Sequence, residues 1–161
     1  MFMVIEMNEL KEIRKNLNIT QDEASKLLGI SRKTYIKYEL MDIESEKIKY
    51  FSSRLKEKTL IDENHGILTI EKIKEVVSNV LKDYDVKSCY LFGSYAKGKE
   101  TELSDVDLMI DSDVTGLKFY GLVEMLRENL HKKIDLLTLK SISNNAALLT
   151  EILKDGIKIY G

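Results

Sequence analysis

Apolar positions recur at helical spacing through the first part of the chain, then give way to short strands alternating with helices. Over residues 8–40 the spacing predicts three short helices. Asn8 can cap the first, whose apolar stripe is Leu10, Ile13 and Leu17. Thr20, with Glu23 three residues on, is a capping-box pattern that opens the second, and Gly29 ends it. Ser31 can cap a third helix running to about Glu39. Ile48, Phe51 and Leu55, at i, i+3 and i+7, predict a fourth over 43–57. Periodicity is lost over 58–66, the best linker candidate in a chain that contains no proline.

After the linker, a helix at about 69–83 carries Ile70, Ile73, Val76, Val77, Val80 and Leu81 on its apolar positions. Strands are expected at 88–92, 106–110 and 133–138, with a last short one at 157–160. Residues 93–99 predict a turn leading into a short helix, and longer helices are expected at about 116–131 and 144–154. Phe119, Leu122 and Leu126 form the buried face of the first of these, with Tyr120 beside them as a partly buried structural tyrosine. Helices interleaved with short strands imply an α/β or α+β domain of roughly 95 residues, enough for one modest core.

Composition narrows the setting. The 161 residues allow one ordinary domain or two small ones. With 25 basic and 27 acidic residues, no global field points to nucleic acid or membrane. Residues 1–60 carry 12 Lys or Arg against 10 Asp or Glu, the remainder 13 against 17, so any polyanion partner belongs to the N-terminal part. Cys89 is the single cysteine and sits in an apolar run, so it reads as a core residue in a reducing, cytoplasmic protein. The opening segment is too short and too acidic for a signal peptide, and no apolar run is long enough for a membrane span. His65 and His131 have no metal-ligand spacing with any partner.

The chemistry concentrates in residues 88–138. Gly93 and Ser94 follow directly on an apolar strand; the glycine lets backbone approach phosphate closely, and N–H groups with the serine hydroxyl can donate to it. Strand alternation puts Asp105 and Asp107 on one face while Val106 and Leu108 point to the core. Two carboxylates about 7 Å apart along a strand repel, the more so in apolar surroundings, and a divalent cation relieves both effects. Magnesium takes one or two carboxylates plus substrate phosphates in preference to an all-protein cage, so the pair suits a metal-bound triphosphate. Two-metal phosphoryl chemistry usually asks for a third carboxylate. Asp135, in the next apolar strand between Ile134 and Leu136, is the choice; Asp111 and Asp113 read as turn residues. Ser104 can cap or orient the loop before Asp105.

Gly93-Ser94, ten further residues, then Asp105-Val106-Asp107 resembles the signature of the DNA polymerase beta nucleotidyltransferase superfamily, and most closely its minimal nucleotidyltransferases. Lys97 stands where that family usually has arginine, keeping the charge without the bidentate fork. Residues 20–39 resemble the phage-repressor (XRE-like) helix-turn-helix, although Ala24-Ser25 stands where that family commonly has Leu-Ala and the helices after Glu39 look reduced. Carried over, Arg32, Lys33, Thr34 and Lys37 face the DNA major groove and Gln21 meets backbone phosphate. The fold class expected is α+β: a helix-turn-helix head over 1–57, a linker over 58–66, and a nucleotidyltransferase domain with a mixed sheet over 67–161.

The two resemblances together match the antitoxin half of HEPN/MNT toxin–antitoxin pairs. This implies transfer of AMP from ATP to a tyrosine hydroxyl of a HEPN toxin, with the head binding operator DNA and the chain acting as a homo- or hetero-oligomer. Asp105 and Asp107 would hold two Mg2+ ions, and Asp135 would serve as base or metal ligand. Gly93, Ser94, Lys97 and Ser104 would contact the nucleotide. The alternatives are a catalytically silent toxin-binding regulator and, less favoured, an aminoglycoside nucleotidyltransferase.

Overall fold

The computed structural model describes residues 8–41 and 45–161. The opening segment and the expected start of the fourth helix at 43–44 lie outside them. Two compact units divide between Leu60 and Ile61.

The first unit is helical: α1 (Glu9–Asn16), α2 (Gln21–Leu28), α3 (Arg32–Glu39) and α4 (Glu46–Lys58). Local chemistry sets each start. The side chains of Asn8, Thr20, Ser31 and Ser45 each accept a backbone N–H three residues on. Thr20 and Glu23 form the full reciprocal capping box, and Gly29 ends α2 in the left-handed region at φ +68°. The apolar stripes meet in one core of Leu10, Ile13, Ala24, Tyr35, Ile48 and Leu55. The Tyr35 hydroxyl donates to the Leu10 carbonyl, and burial pushes its acidity to about 12.

The second unit runs α5 (Ile70–Leu81), β1 (Ser88–Phe92), α6 (Gly93–Ala96), β2 (Val106–Asp111), α7 (Gly116–Leu130), β3 (Ile134–Thr138), α8 (Leu139–Ile142), α9 (Ala146–Asp155) and β4 (Ile157–Tyr160). The sheet order is β3-β2-β1-β4. β1 pairs antiparallel with β2 and β4, while β2 and β3 are parallel, so the sheet is mixed as expected. A parallel pair needs a crossover, and α7 supplies it.

Side-chain alternation divides the sheet into two faces. One buries Leu91, Leu108, Ile110 and Leu136 against Ile73 and Val77 of α5 and Leu122 and Leu126 of α7. The other carries a smaller cluster of Phe92, Met109, Ile142 and Ile152. Cys89 is buried in the larger core, which pushes its thiol up to about 12. Among the described residues no helix is long and apolar enough to cross a membrane.

The helix expected at about 144–154 is α9, capped by Asn145, and a short α8, capped by Thr138, precedes it without a signal in the periodicity. Two local expectations are corrected. Asp111 ends β2 opposite Ser88 instead of lying in a turn. Tyr120 is exposed, with its ring set edge-on to Phe119, because it faces away from the side of α7 that carries Leu122 and Leu126.

Candidate functional site

Strand pairing assembles a carboxylate cluster at one end of the sheet. Asp107 is the second residue of β2, and its register partner across the parallel pair is Asp135 of β3. Register partners in a parallel pair project to the same face, so both carboxylates stand opposite the larger core. Asp105 lies two residues before Asp107, just ahead of β2, while Val106 and Leu108 are fully buried. Burial, then Asp135, then Asp105 raise the Asp107 carboxyl to about 6, and Glu151 adds in the same direction.

Gly93 closes the cluster from the β1 side. It opens α6 at φ +69°, and a Cβ there would collide with the Asp107 carboxylate. Glycine is therefore required twice, by its left-handed backbone and by the approach of Asp107. The next residues are engaged locally. The Ser94 carbonyl accepts from the Lys97 and Lys99 N–H groups. The Ser104 hydroxyl accepts from the Thr101 N–H at 2.8 Å, holding a turn that ends just before Asp105.

Two cations are paired with acids of this region. Lys97 Nζ lies 2.6 Å from Glu151 of α9, and that contact raises the Lys97 ammonium above its ordinary range. Lys133 Nζ lies 3.7 Å from Asp105. Sequence reasoning selected neither Glu151 nor Lys133. Lys97 and Glu151 are 54 residues apart, and no motif signals their meeting.

A divalent cation fits this donor set. Three carboxylates converge around a half-buried member whose acidity is already weakened by the other two, and a cation reverses that repulsion. Among the described residues no group of three or more His, Cys, Asp or Glu side chains is placed to hold a metal ion by itself. Magnesium, which completes its shell with substrate phosphates and water, suits such an open set.

In the helical unit, Arg32, Lys33 and Lys37 are exposed on α3. Thr34 is half-buried, with its hydroxyl against that of Ser31. Gln21 is not free: its amide donates to Glu39 at 2.5 Å. Glu39 is buried and also binds Arg14 Nε at 2.6 Å, while Arg14 donates again to the Ile19 carbonyl. A cavity of about 560 Å³ is lined by Arg14, Thr20, Gln21, Asp22 and Arg32.

Comparison with known proteins adds two domain matches. The family described as polymerase beta, nucleotidyltransferase matches residues 71–161, and a helix-turn-helix family matches residues 10–44. A Methanocaldococcus jannaschii protein named as a protein adenylyltransferase is 44% identical over 84 residues, covering 47% of this chain and 84% of its own. The protein adenylyltransferase MntA of Thermococcus cleftensis is 32% identical over 88 residues, covering 51% and 89%. Among solved structures, a toxin–antitoxin crystal structure with AMP-PNP aligns at a TM-score of 0.49 and 25% identity, over 55% of this chain and 73% of that one.

Proposed function

The chain belongs to the polymerase beta nucleotidyltransferase family, and from that premise we propose that it is an antitoxin-type protein adenylyltransferase, moving AMP from ATP to a tyrosine hydroxyl of a HEPN toxin. The observation that carries this reading is the meeting of Asp105, Asp107 and Asp135 beside Gly93. The names of the relatives support the acceptor class.

Asp105 and Asp107 would hold two magnesium ions together with the triphosphate. Bound magnesium neutralises charge on the phosphate oxygens and in the transition state. Gly93 offers its backbone to the phosphates without a side chain in the way, and Ser94 adds a donor. Lys97 exchanges Glu151 for a phosphate oxygen, while Ser104 fixes the turn that delivers Asp105. Asp135 is the most exposed of the three carboxylates and receives the proton of the attacking hydroxyl or binds the ion beside it. The tyrosine oxygen bonds to the α-phosphorus as the bond to the bridging oxygen breaks, and pyrophosphate leaves.

The head, residues 1–57, binds operator DNA through Arg32, Lys33, Thr34 and Lys37, with 58–66 joining it to the transferase at 67–161. Gln21, at the start of α2, holds Glu39 of α3 and lines a cavity whose exposed Arg32 suits a backbone phosphate. The deciding experiment incubates the purified chain with magnesium, ATP labelled in its α-phosphate and a HEPN toxin. Label on the toxin with wild type, absent with Asp105→Ala/Asp107→Ala, supports the transferase. A stable complex without label sinks it in favour of a silent, toxin-binding regulator.

A further inference from the structure

Lys132 is fully buried, and the reaction above does not use it. Its ammonium donates to two backbone carbonyls, Glu102 at 2.6 Å and His65 at 3.1 Å. Burying an ammonium is costly unless its hydrogen bonds make up the loss. A methionine would fill the same space without that penalty. The lysine therefore marks a geometric demand, and its two partners show which one.

Glu102 lies in the turn over 101–104, closed by the Thr101–Ser104 contacts, and Asp105 follows at once. Lys132 itself stands just before β3, and the next carbonyl, that of Lys133, accepts the Val106 N–H at 2.9 Å. The ammonium thus ties the segment that delivers Asp105 to the segment that delivers Asp135. His65 anchors the tie. Residues 62–65 close a turn by backbone bonds in both directions between Asp62 and His65. Arg127 of α7 grips Glu63 at 2.6 Å, and the Gly66 N–H donates to the Glu102 carboxylate at 3.3 Å. From residue 62 on, the segment that joins head and transferase is also a strap across both carboxylate-bearing segments.

We infer that Lys132 is a positioning residue for the metal site, its buried ammonium setting the spacing of Asp105 and Asp135 through the backbone at Glu102 and His65. This rests on the reading of the three aspartates as the magnesium-binding set. Magnesium tolerates little departure from octahedral geometry, so looseness between these segments shows first as weakened metal binding. Partners that orient metal ligands are typically worth about 10- to 100-fold in metal affinity.

The test titrates manganese(II) into the full chain and follows the loss of the free-ion electron paramagnetic resonance signal. Lys132→Met is expected to weaken binding about 10- to 100-fold. Lys132→Gln, which keeps an uncharged donor, is expected to fall between it and wild type, and it decides the matter alone if the methionine variant does not fold. Leu122→Ala, in the larger core, destabilises the same unit and should bind manganese like wild type. Unchanged affinity in the Lys132 variants overturns the inference, as does an equal loss in Leu122→Ala. If wild type binds no manganese, or Asp107→Asn binds it equally well, the reading of the site fails and the inference falls with it.

Discussion

Asp107 and Asp135 are register partners across the parallel β2–β3 pair, which sets two carboxylates on adjacent strands about 4.8 Å apart at the backbone. Without a cation this arrangement opposes folding. The Asp107 carboxyl, raised to about 6, binds its proton more tightly in the folded chain than an ordinary aspartate does. Its contribution to stability is full below about pH 4 and is lost as pH rises through 6. Asp107→Asn should therefore raise the metal-free melting temperature by a few degrees at pH 7.5, show no gain at pH 4, and abolish nucleotidyl transfer. Melting curves across pH 4–8, with and without magnesium, check this. A variant less stable than wild type at pH 7.5 contradicts it.

Magnesium itself should act most strongly where Asp107 is ionised. Its stabilising effect should grow as pH rises from about 5 to 7, since the ion must displace the proton. In Asp107→Asn that pH dependence should flatten. A wild-type shift on adding magnesium that stays constant across this range would argue against Asp107 as a ligand.

Two left-handed glycines offer an internal comparison. Gly98, at φ +62°, has open space where a Cβ would go, so Gly98→Ala should cost about 1–2 kcal/mol of backbone strain and leave activity largely intact. Gly93→Ala meets the same strain and also drives a methyl group into the Asp107 carboxylate. Its transfer rate should fall at least about 100-fold, as expected when a reacting group is displaced by about an ångström. Steady-state kinetics on the two variants separates strain from site disruption.

Glu39 is the polar centre of the head, binding Arg14 and Gln21 at once while almost fully buried. Removing it by Glu39→Ala strands the Arg14 guanidinium, at a cost of about 3 kcal/mol. In a unit this small, that is enough to unfold most of it. Hydrogen exchange should show lost protection in α1–α3 and unchanged protection in β1–β3. Adding Arg14→Met should recover part of the loss, because no unpaired charge then remains.

Lys33 and Lys37 project into solvent from α3 with room to meet a polyanion. If they contact phosphates, Lys33→Ala/Lys37→Ala should weaken operator binding. It should also reduce the slope of log affinity against log salt by about two. Fluorescence anisotropy at several salt concentrations measures both. A slope equal to that of wild type would point instead to base-edge contacts for these lysines.

Local patterns carried the elements, because caps and periodicity act within a few residues. The Thr20–Glu23 box, the Gly29 stop and the strand at 88–92 all lie where their neighbours dictate. The spacing of Gly93, Asp105 and Asp107 is likewise a property of one continuous stretch, which is why the sequence by itself determined the family and the chemistry. Tertiary structure alone decided the rest. Asp135 meets Asp107 only because α7 returns the chain as a parallel strand in one register. Lys97 finds Glu151, Glu39 gathers Arg14 and Gln21, and Lys132 reaches back to His65 across gaps that no local pattern spans. Those contacts are chosen by which faces the two cores bury, a long-range condition that individual residue types do not record.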